Sequence, residues 1–514
     1  MASPVTDERQ PGRFSALEWI AANPCNAFGL FAILHLMVWT ALPALVYPNL
    51  PLDLIEALTY GREWQLGYDK LPPLPWWLVE IAYRAIGHDF AYYTLAQVTV
   101  LAAFALVWAT ARSIVGPQGA LASVLIIDGL HYFNFTAPKF NHDVIQLPFW
   151  ALAGFSLYRA LRGGHILYWC LLGVAIGISL WAKYFVVILI APLSLFLLLD
   201  RDARRSLATP GPWLAAVVAI AVMTPHLVWL VKNDFLPFAY ASARAAPSRG
   251  FIDHVLHPSA FALSQIGFLL PSLLIALPLF VPWSPVSRPA GGRSFDFRFV
   301  TMLAFGPMAA ILALSAVTGR GTVAMWGYPL WLFLGLWIVL VADRAAAVAR
   351  LPRIVSTWAI VFLVYAVSFF VHYQVLPDFD HRYRATSFPG EAMANEISQR
   401  YRAIAHSPLV YVISSMWDGG NIGHYAPERP RVLIDGRPAR APWIDLSDLR
   451  SKGAAIVWTA GDLRTLPLAY RSFSEHALVQ DPFEVPFHNG GRKLGVGWAI
   501  VPPQPHFANG SDQF

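Results

Sequence analysis

Charge is scarce in this chain. Only 13% of its 514 residues are Asp, Glu, Lys or Arg, against 56% that are hydrophobic. That is more apolar surface than a water-soluble core of this length could hide, so the chain belongs in a membrane. Cysteine is nearly absent: Cys25 and Cys170 lie in or beside apolar runs. Neither a disulfide framework nor a thiolate metal site is suggested, and the redox compartment stays open. The net charge of +6 is spread over short Arg-bearing loops; without a dense Lys/Arg block, no nucleic-acid partner is expected. The fifteen histidines are scattered. No HExxH or CxxC spacing, Gly-rich phosphate loop or nucleophile elbow occurs, which argues against nucleotide hydrolysis and serine-hydrolase chemistry. There is no internal repeat of about 20–50 residues and no low-complexity tract. Residues 1–24 hold acids and Pro11 and lack the basic, apolar, small-residue order of a cleaved signal. The first apolar run is therefore expected to be an anchor.

What is abundant is apolar runs of about 17 to 22 residues, the length that crosses roughly 30 Å of hydrocarbon. They predict about eleven spans, at 26–47, 93–113, 118–135, 144–162, 166–182, 184–199, 211–231, 259–282, 298–318, 324–342 and 354–372. The pair around Lys183 also reads as one broken helix. Placing Arg9 and Arg13 in the cytoplasm puts Arg112, Arg159, Arg162, Arg201, Arg204, Arg205, Arg288, Arg293, Arg298, Arg344, Arg350 and Arg353 on that side too, as the positive-inside bias requires. The other face then receives a first loop at 48–92, the turn 137–143, the Lys183 turn, the loop 232–257, the turn 319–322 and the tail. In that first loop Leu78, Ile81, Ala82, Ala85 and Ile86 follow helical spacing behind Trp76 and Trp77, the pattern of a helix lying on the bilayer surface.

Past Tyr373 the chain turns polar. Strands are predicted at 409–413, 431–434, 454–459 and 494–501, with a helix at 389–404, giving a soluble α/β domain. The fold class is thus a polytopic α-helical membrane protein, with a transmembrane domain over 1–372 and a C-terminal α/β domain over 373–514 outside the membrane.

Chemistry concentrates in LDLIEALTYGREWQLGYDKLPPL, residues 52–74. Asp53, with Glu56 three residues on, reads either as a capping arrangement or, for Asp53, as a candidate general base at the membrane boundary. Asp143, in TAPKFNHDVIQLPFW, carries the same two readings. Lys183 either snorkels or faces an anionic headgroup. Arg244 and Arg249 suit phosphate oxygens by their forked geometry. Tyr68 and Lys70 precede the Leu71-Pro72-Pro73-Leu74 turn, which holds a cation and a ring beside Asp53 or is simply structural. Asp128 and His131 sit inside a predicted span and read as a structural His–Asp pair.

These motifs resemble the GT-C superfamily of polytopic glycosyltransferases that use polyprenyl-phosphate sugar donors, families 39 and 83, and within it the branch of lipid A aminoarabinose transferases and rhizobial lipopolysaccharide galacturonosyltransferases. That family carries Asp-Glu-Ala-x-Tyr-x, then Leu-Gly-Tyr, then a His- or Lys-bearing Pro-Pro-Leu. Here Asp53 stands fifteen residues before Tyr68 of Leu66-Gly67-Tyr68, and Pro72-Pro73-Leu74 follows. Position 54 is Leu where the family has Glu, the next acid is Glu56, and Lys70 lies one place earlier than the family's cation. Asp143 before Phe149-Trp150 matches the second acidic motif. Ala182-Lys183-Tyr184, the aromatic loop after Trp229–Asp234, and Trp417-Asp418-Gly419-Gly420 with His424-Tyr425 are further echoes.

The resemblance implies a GT-C fold and an inverting transfer from a polyprenyl-phosphate-linked sugar to a lipid or glycan acceptor among membrane lipids. It implies the bacterial cytoplasmic (inner) membrane, with active site and tail periplasmic, and no cofactor, a divalent metal being left open. Asp53 would be the base and Asp143 a second carboxylate. Lys70, Lys183, Arg244 and Arg249 would serve the donor phosphate, and Glu56, Tyr68, His142 and Tyr184 would surround the substrate. The rival from another class is a membrane transporter or lipid flippase, which would place ionisable groups near the midplane on paired broken helices. A degenerate family member acting as a binding subunit is a third reading, raised by Leu54.

Overall fold

The computed structural model describes residues 16–281, 294–342, 344–380, 382, 384–488 and 491–504. Arg9, Pro11, Arg13, Arg288 and Arg293, used above for orientation and for the anchor, lie outside the described residues.

Seven helices among the described residues are long and apolar enough to cross a bilayer: Pro24–Val46, Phe90–Asp128, His142–Gly163, Gly211–Lys232, Asp253–Leu279, Phe295–Thr318 and Arg344–Phe379. An eighth span exists if Ala324–Trp331 and Leu334–Ala342, bent by 53°, are counted together. The difference from eleven has local causes. The runs 93–113 and 118–135 share one helical segment that breaks at Gly116 (φ 79°), just before Pro117, and ends at Asp128. Ile166–Ala182 and Tyr184–Leu199 are apolar but short, below the roughly 20 residues a full crossing needs.

The helices present apolar side chains outward: Leu30, Met37, Val217, Leu263, Ile360 and Leu363 are all more than half exposed, the inverse of a water-soluble surface and the expected face toward lipid. Inside, small residues set the spacing. A Cβ on Gly173 would stand 2.4 Å from the Ala215 carbonyl oxygen, and one on Gly177 2.7 Å from Val222 Cβ. This small-xxx-small stripe lets Ile166–Ala182 pack backbone to backbone on Gly211–Lys232.

Asp128 is buried within the bundle and is paired with His35, not His131. His35 Nδ1 lies 2.9 Å from Asp128 Oδ1, Trp358 Nε1 donates to Asp128 Oδ2 at 2.6 Å, and His35 Nε2 meets Gln97 Oε1 at 3.0 Å. His131 stacks on Phe135 instead. Three spans are thereby tied through one buried carboxylate, whose lone pairs need such partners.

At one end of the bundle lie two shorter helices, Leu52–Gly61 and Leu74–Ile86. The second buries Trp76, Val79 and Glu80 and leaves Ile81 and Ile86 exposed, so its apolar stripe faces away from the protein. Against the first sits the C-terminal sheet: β1 (Tyr411–Ser414), β2 (Arg431–Ile434), β3 (Ala454–Trp458), β4 (Leu478–Val479), β5 (Phe483–Pro486) and β6 (Lys493–Val501). The order is β2-β1-β3-β6-β4, with β5 also on β6. β1, β2 and β3 are parallel, while β6 runs antiparallel to β3 with Ile456 opposite Ala499. Helix Gly390–Ala405 covers one face through Met393, Ile397 and Tyr401. Ile444, Leu449, Tyr470 and Phe473 cover the other.

Candidate active site

Helix Leu52–Gly61 begins at Pro51 without a side-chain cap, so Asp53 is not spent on its own backbone. Its Oδ2 accepts instead from Asn141 Nδ2 at 2.9 Å. Asn141 in turn caps His142–Gly163, its Oδ1 accepting from the amides of Asp143 and Val144 at 3.0 and 3.2 Å. One side chain therefore fixes both the helix start and the acid. Asp143 is likewise free of capping: its Oδ1 accepts from Lys183 Nζ at 2.5 Å and from Gln146 Nε2 at 3.1 Å.

Lys183 breaks the chain between two apolar helices, its extended backbone (φ −164°, ψ 135°) turning the ammonium inward. The rings of Phe185 and Trp326 lie 5.4 and 5.6 Å from it, close enough for cation–π attraction. Lys70 Nζ donates to Glu56 Oε2 at 2.7 Å and sits 5.2 Å from the Tyr240 ring. Burial pushes the Glu56 carboxyl above its ordinary range against the opposing pull of Lys70, with Asp53 adding to the rise. For Lys70 burial acts downward, but the Glu56 charge outweighs it and the ammonium titrates above its usual value. His142 Nε2–H donates to the Pro72 carbonyl at 3.0 Å, fastening the Pro-Pro turn to the start of the next helix. Tyr184 OH donates to His226 Nε2 at 2.7 Å, and His226 Nδ1 reaches the Leu66 carbonyl at 2.6 Å.

Asp53, Glu56, Lys70, Asn141, His142, Asp143, Lys183 and Tyr184 line one cavity of about 520 Å³, together with Leu52, Lys139, Tyr240, Arg244 and Trp326. Two carboxylates locked to lysines, a third hydrogen-bonded to a neutral amide, and aromatic walls suit a ligand with a charged head and a sugar-like body. A larger cavity of about 640 Å³ lies around Arg162, Trp169 and Arg205; it contains none of these acids. Among the described residues no group of three or more His, Cys, Asp or Glu gathers as a metal site.

A family profile described as dolichyl-phosphate-mannose-protein mannosyltransferase matches residues 70–229. The lipopolysaccharide core galacturonosyltransferase RgtA of Rhizobium johnstonii is 24% identical across 94% of this chain and 99% of its own length. The lipid A galacturonosyltransferase RgtD of the same organism is 23% identical over 54% of this chain, which spans 58% of that relative. The structure of ArnT from Cupriavidus metallidurans bound to undecaprenyl phosphate superposes with a TM-score of 0.64 at 14% identity, covering 96% of this chain and 100% of that one.

The chain has the fold of ArnT and is similar, over nearly its whole length, to the galacturonosyltransferase RgtA.

Within this chain the cavity collects Asp53, Glu56, Lys70, His142, Asp143, Lys183, Tyr184 and Arg244 from the expected set. Two residues stand elsewhere. Tyr68 is buried, its OH donating to the Tyr60 carbonyl at 2.8 Å and its ring packed edge-on to Trp76 at 4.8 Å; it builds the turn that presents Lys70. Arg249 is exposed, with its amide donating to Asp253 Oδ2, and is not among the cavity residues. Sequence reasoning gave no individual role to Asn141, Lys139, Tyr240 and Trp326. Asn141 and Lys139 flank the acidic motif in Lys139-Phe140-Asn141-His142-Asp143, so their nearness to Asp143 was available as a signal. Tyr240 and Trp326 reach the site only through tertiary packing.

Proposed function

We propose that the protein transfers a sugar from a polyprenyl-phosphate carrier to a hydroxyl of an envelope lipid or glycan, at the periplasmic face of the cytoplasmic membrane, with inversion at the sugar C1. The observation that carries this is Asp53: a carboxylate in a cavity, oriented by an amide and, among the described residues, with no lysine or arginine within 4 Å of it. Such a group is placed to take the acceptor proton on Oδ1 as the acceptor oxygen attacks C1. The C1–O bond to phosphate then breaks, and the leaving lipid phosphate gains negative charge. Lys70, Lys183 and Arg244 stand around the cavity to stabilise it. Asp143, locked to Lys183, orients rather than abstracts. ArnT of C. metallidurans is described as bound to undecaprenyl phosphate and the rhizobial relatives as acting on lipid A and lipopolysaccharide core; these names support the same donor and acceptor classes here. A transporter is less well served: the buried Asp128–His35 pair is closed by Trp358 and Gln97 and is not among the residues of the cavity.

The test is transfer of radiolabelled sugar from polyprenyl phosphates into envelope lipids by membranes holding wild type or Asp53→Asn at matched expression. Asp53→Asn is expected to lose at least about 10²-fold in rate, the scale of general-base catalysis. Equal transfer by both would remove Asp53 from the mechanism.

A further inference from the structure

The larger cavity, of about 640 Å³, lies at the far end of helices that also reach the first. Asp143 stands in the first turn of helix His142–Gly163 and Arg162 in its last, roughly 30 Å apart at about 1.5 Å per residue. Helix Ile166–Ala182 runs back again. Trp169, near its start, lines the larger cavity, and Lys183, directly after its end, lines the acidic one. The chain segments that meet at the far end carry Arg159, Arg162, Arg201, Arg204 and Arg205, the basic side that the positive-inside bias places in the cytoplasm.

The wall of this cavity is rich in unspent hydrogen-bond donors. Arg205 is exposed and lines it, and among the described residues it has no carboxylate within 4 Å. Arg162 Nε stands 3.9 Å from Asp296 Oδ1, an oxygen that already accepts from Tyr158 OH at 3.1 Å. Asp202, the acid on the wall, is taken by Arg298 Nη2 at 2.8 Å. Helix Gly211–Lys232 begins here without a side-chain cap, which leaves its first amides and its positive end unanswered. Trp169 is 3% exposed, yet its indole N–H has no acceptor among the described residues. A Cβ on Gly211 would stand 2.3 Å from Trp169 Nε1, so this buried donor lies over the start of the uncapped helix. Two guanidinium groups, a buried N–H and a helix N-terminus converge on a space that calls for an anion with several acceptor oxygens.

The rim decides which anion. Ile166 on the wall, Leu167 beside it and Trp213 in the first turn of the uncapped helix are all exposed. Trp213 Nε1 donates to the Leu207 carbonyl at 3.1 Å, with its ring left outside as at a membrane–water boundary. A soluble anion gains nothing from such a rim, whereas acyl chains do. We propose that this cavity binds an anionic glycerophospholipid. Arg205, Arg162 and Trp169 Nε1 hold its phosphate at the start of helix Gly211–Lys232, and its chains lie along Ile166, Leu167 and Trp213. Basic pockets between spans on the cytoplasmic side are suited to such headgroups. The site is independent of the transferase reading.

The experiment uses the full chain in neutral detergent micelles with fluorescent phosphatidylglycerol as probe, displaced by unlabelled phosphatidylglycerol, phosphatidylcholine, polyprenyl phosphate or inorganic phosphate. Wild type is expected to bind phosphatidylglycerol at least about tenfold more tightly than phosphatidylcholine, the scale of one hydrogen bond to a charged group. Arg205→Gln should weaken phosphatidylglycerol about tenfold, and Trp169→Phe, which keeps a ring and removes the N–H, about threefold. Arg204→Gln, one residue away and not on the cavity wall, should change nothing. Thermal midpoints in phosphatidylcholine show which variants are folded, and the exposed Arg205 decides the matter even where Trp169→Phe does not fold. Equal affinity for the two phospholipids would overturn the proposal. So would an equal loss in Arg204→Gln and Arg205→Gln, which would reduce the site to diffuse surface charge. Inorganic phosphate displacing the probe as well as phosphatidylglycerol does would assign the cavity to a soluble anion. Polyprenyl phosphate binding more tightly than phosphatidylglycerol, in a way lost in Arg205→Gln, would assign it to the carrier; either result sinks the phospholipid assignment.

Discussion

Asn141 joins two functions that the sequence shows as separate, the start of a helix and the orientation of Asp53. Replacing it tests which matters more. Asn141→Ala removes both, and is expected to cost about 1 kcal/mol of stability for the lost cap together with activity. Asn141→Asp keeps a good cap but points a second carboxylate at Asp53; thermal midpoint should stay near wild type while the transfer rate falls by tenfold or more. If Asn141→Asp instead unfolds the protein and Asn141→Ala is fully active, the amide serves structure alone. Asp53, Asp143, Lys70 and Lys183 were legible beforehand because charged residues between apolar runs are conspicuous, and their spacing matched a known pattern. Asn141 gave a weaker signal, its nearness to Asp143, because an uncharged residue before a helix has an ordinary structural use. The partner of Asp128 was missed for another reason: His35 lies on a distant span, and sequence nearness favoured His131.

Helix Leu52–Gly61 is held by its surroundings more than by its own sequence. A Cβ on Gly420 would lie 2.7 Å from both Ile55 Cγ2 and Thr59 Oγ1, so helix Met416–Tyr425 touches the acidic helix with bare backbone. Gly420→Val is expected to push the two apart, lowering the thermal midpoint by several degrees and reducing kcat more than KM; unchanged kinetics would show that this contact does not set the position of Asp53. The same helix gives a pH test. Glu56 titrates above its ordinary value of 4.5 because it is buried, so the folded protein holds that proton more tightly than the unfolded chain. Its stabilising contribution is complete below that value and is lost as pH rises through the raised one. The stability of Glu56→Gln relative to wild type should therefore improve as pH rises above about 4.5, measured by thermal shift across the series. A constant difference would mean that Glu56 titrates as an exposed carboxylate. Most elements of the tail were readable: the predicted strand at 431–434 is β2, and the helix at 389–404 is Gly390–Ala405. Helix Met416–Tyr425 was not, since Gly419-Gly420-Asn421 disfavours a helix locally; the Ser415 cap starts it, and the close approach to Leu52–Gly61 explains the glycine.

Across the whole molecule the tail and the first loop are tied by charge as well as by packing. Arg431 Nη2 donates to Glu63 Oε2 at 2.5 Å, Arg440 Nε to Asp69 Oδ2 at 2.9 Å, and Arg62 to the carbonyls of Arg429 and Pro430 at 2.8 and 3.1 Å. Leu50 N donates to Tyr425 OH at 3.0 Å. Asp69 also accepts from Tyr60 OH at 3.0 Å and immediately precedes Lys70. Arg440 thus acts one residue away from a cavity cation while lying far along the chain, an arrangement no reading of local spacing could reveal. If the tail works by fixing this loop, Arg440 and Asp69 must be coupled both in stability and in catalysis. A double-mutant cycle of Arg440→Ala and Asp69→Asn is expected to give an interaction energy of about 0.5–1.5 kcal/mol for these partly exposed partners. Each single variant should lower kcat for transfer, and the double variant little further. Additive effects on stability with kcat untouched would mean that the tail merely sits beside the site, and its role would then have to be sought in the acceptor.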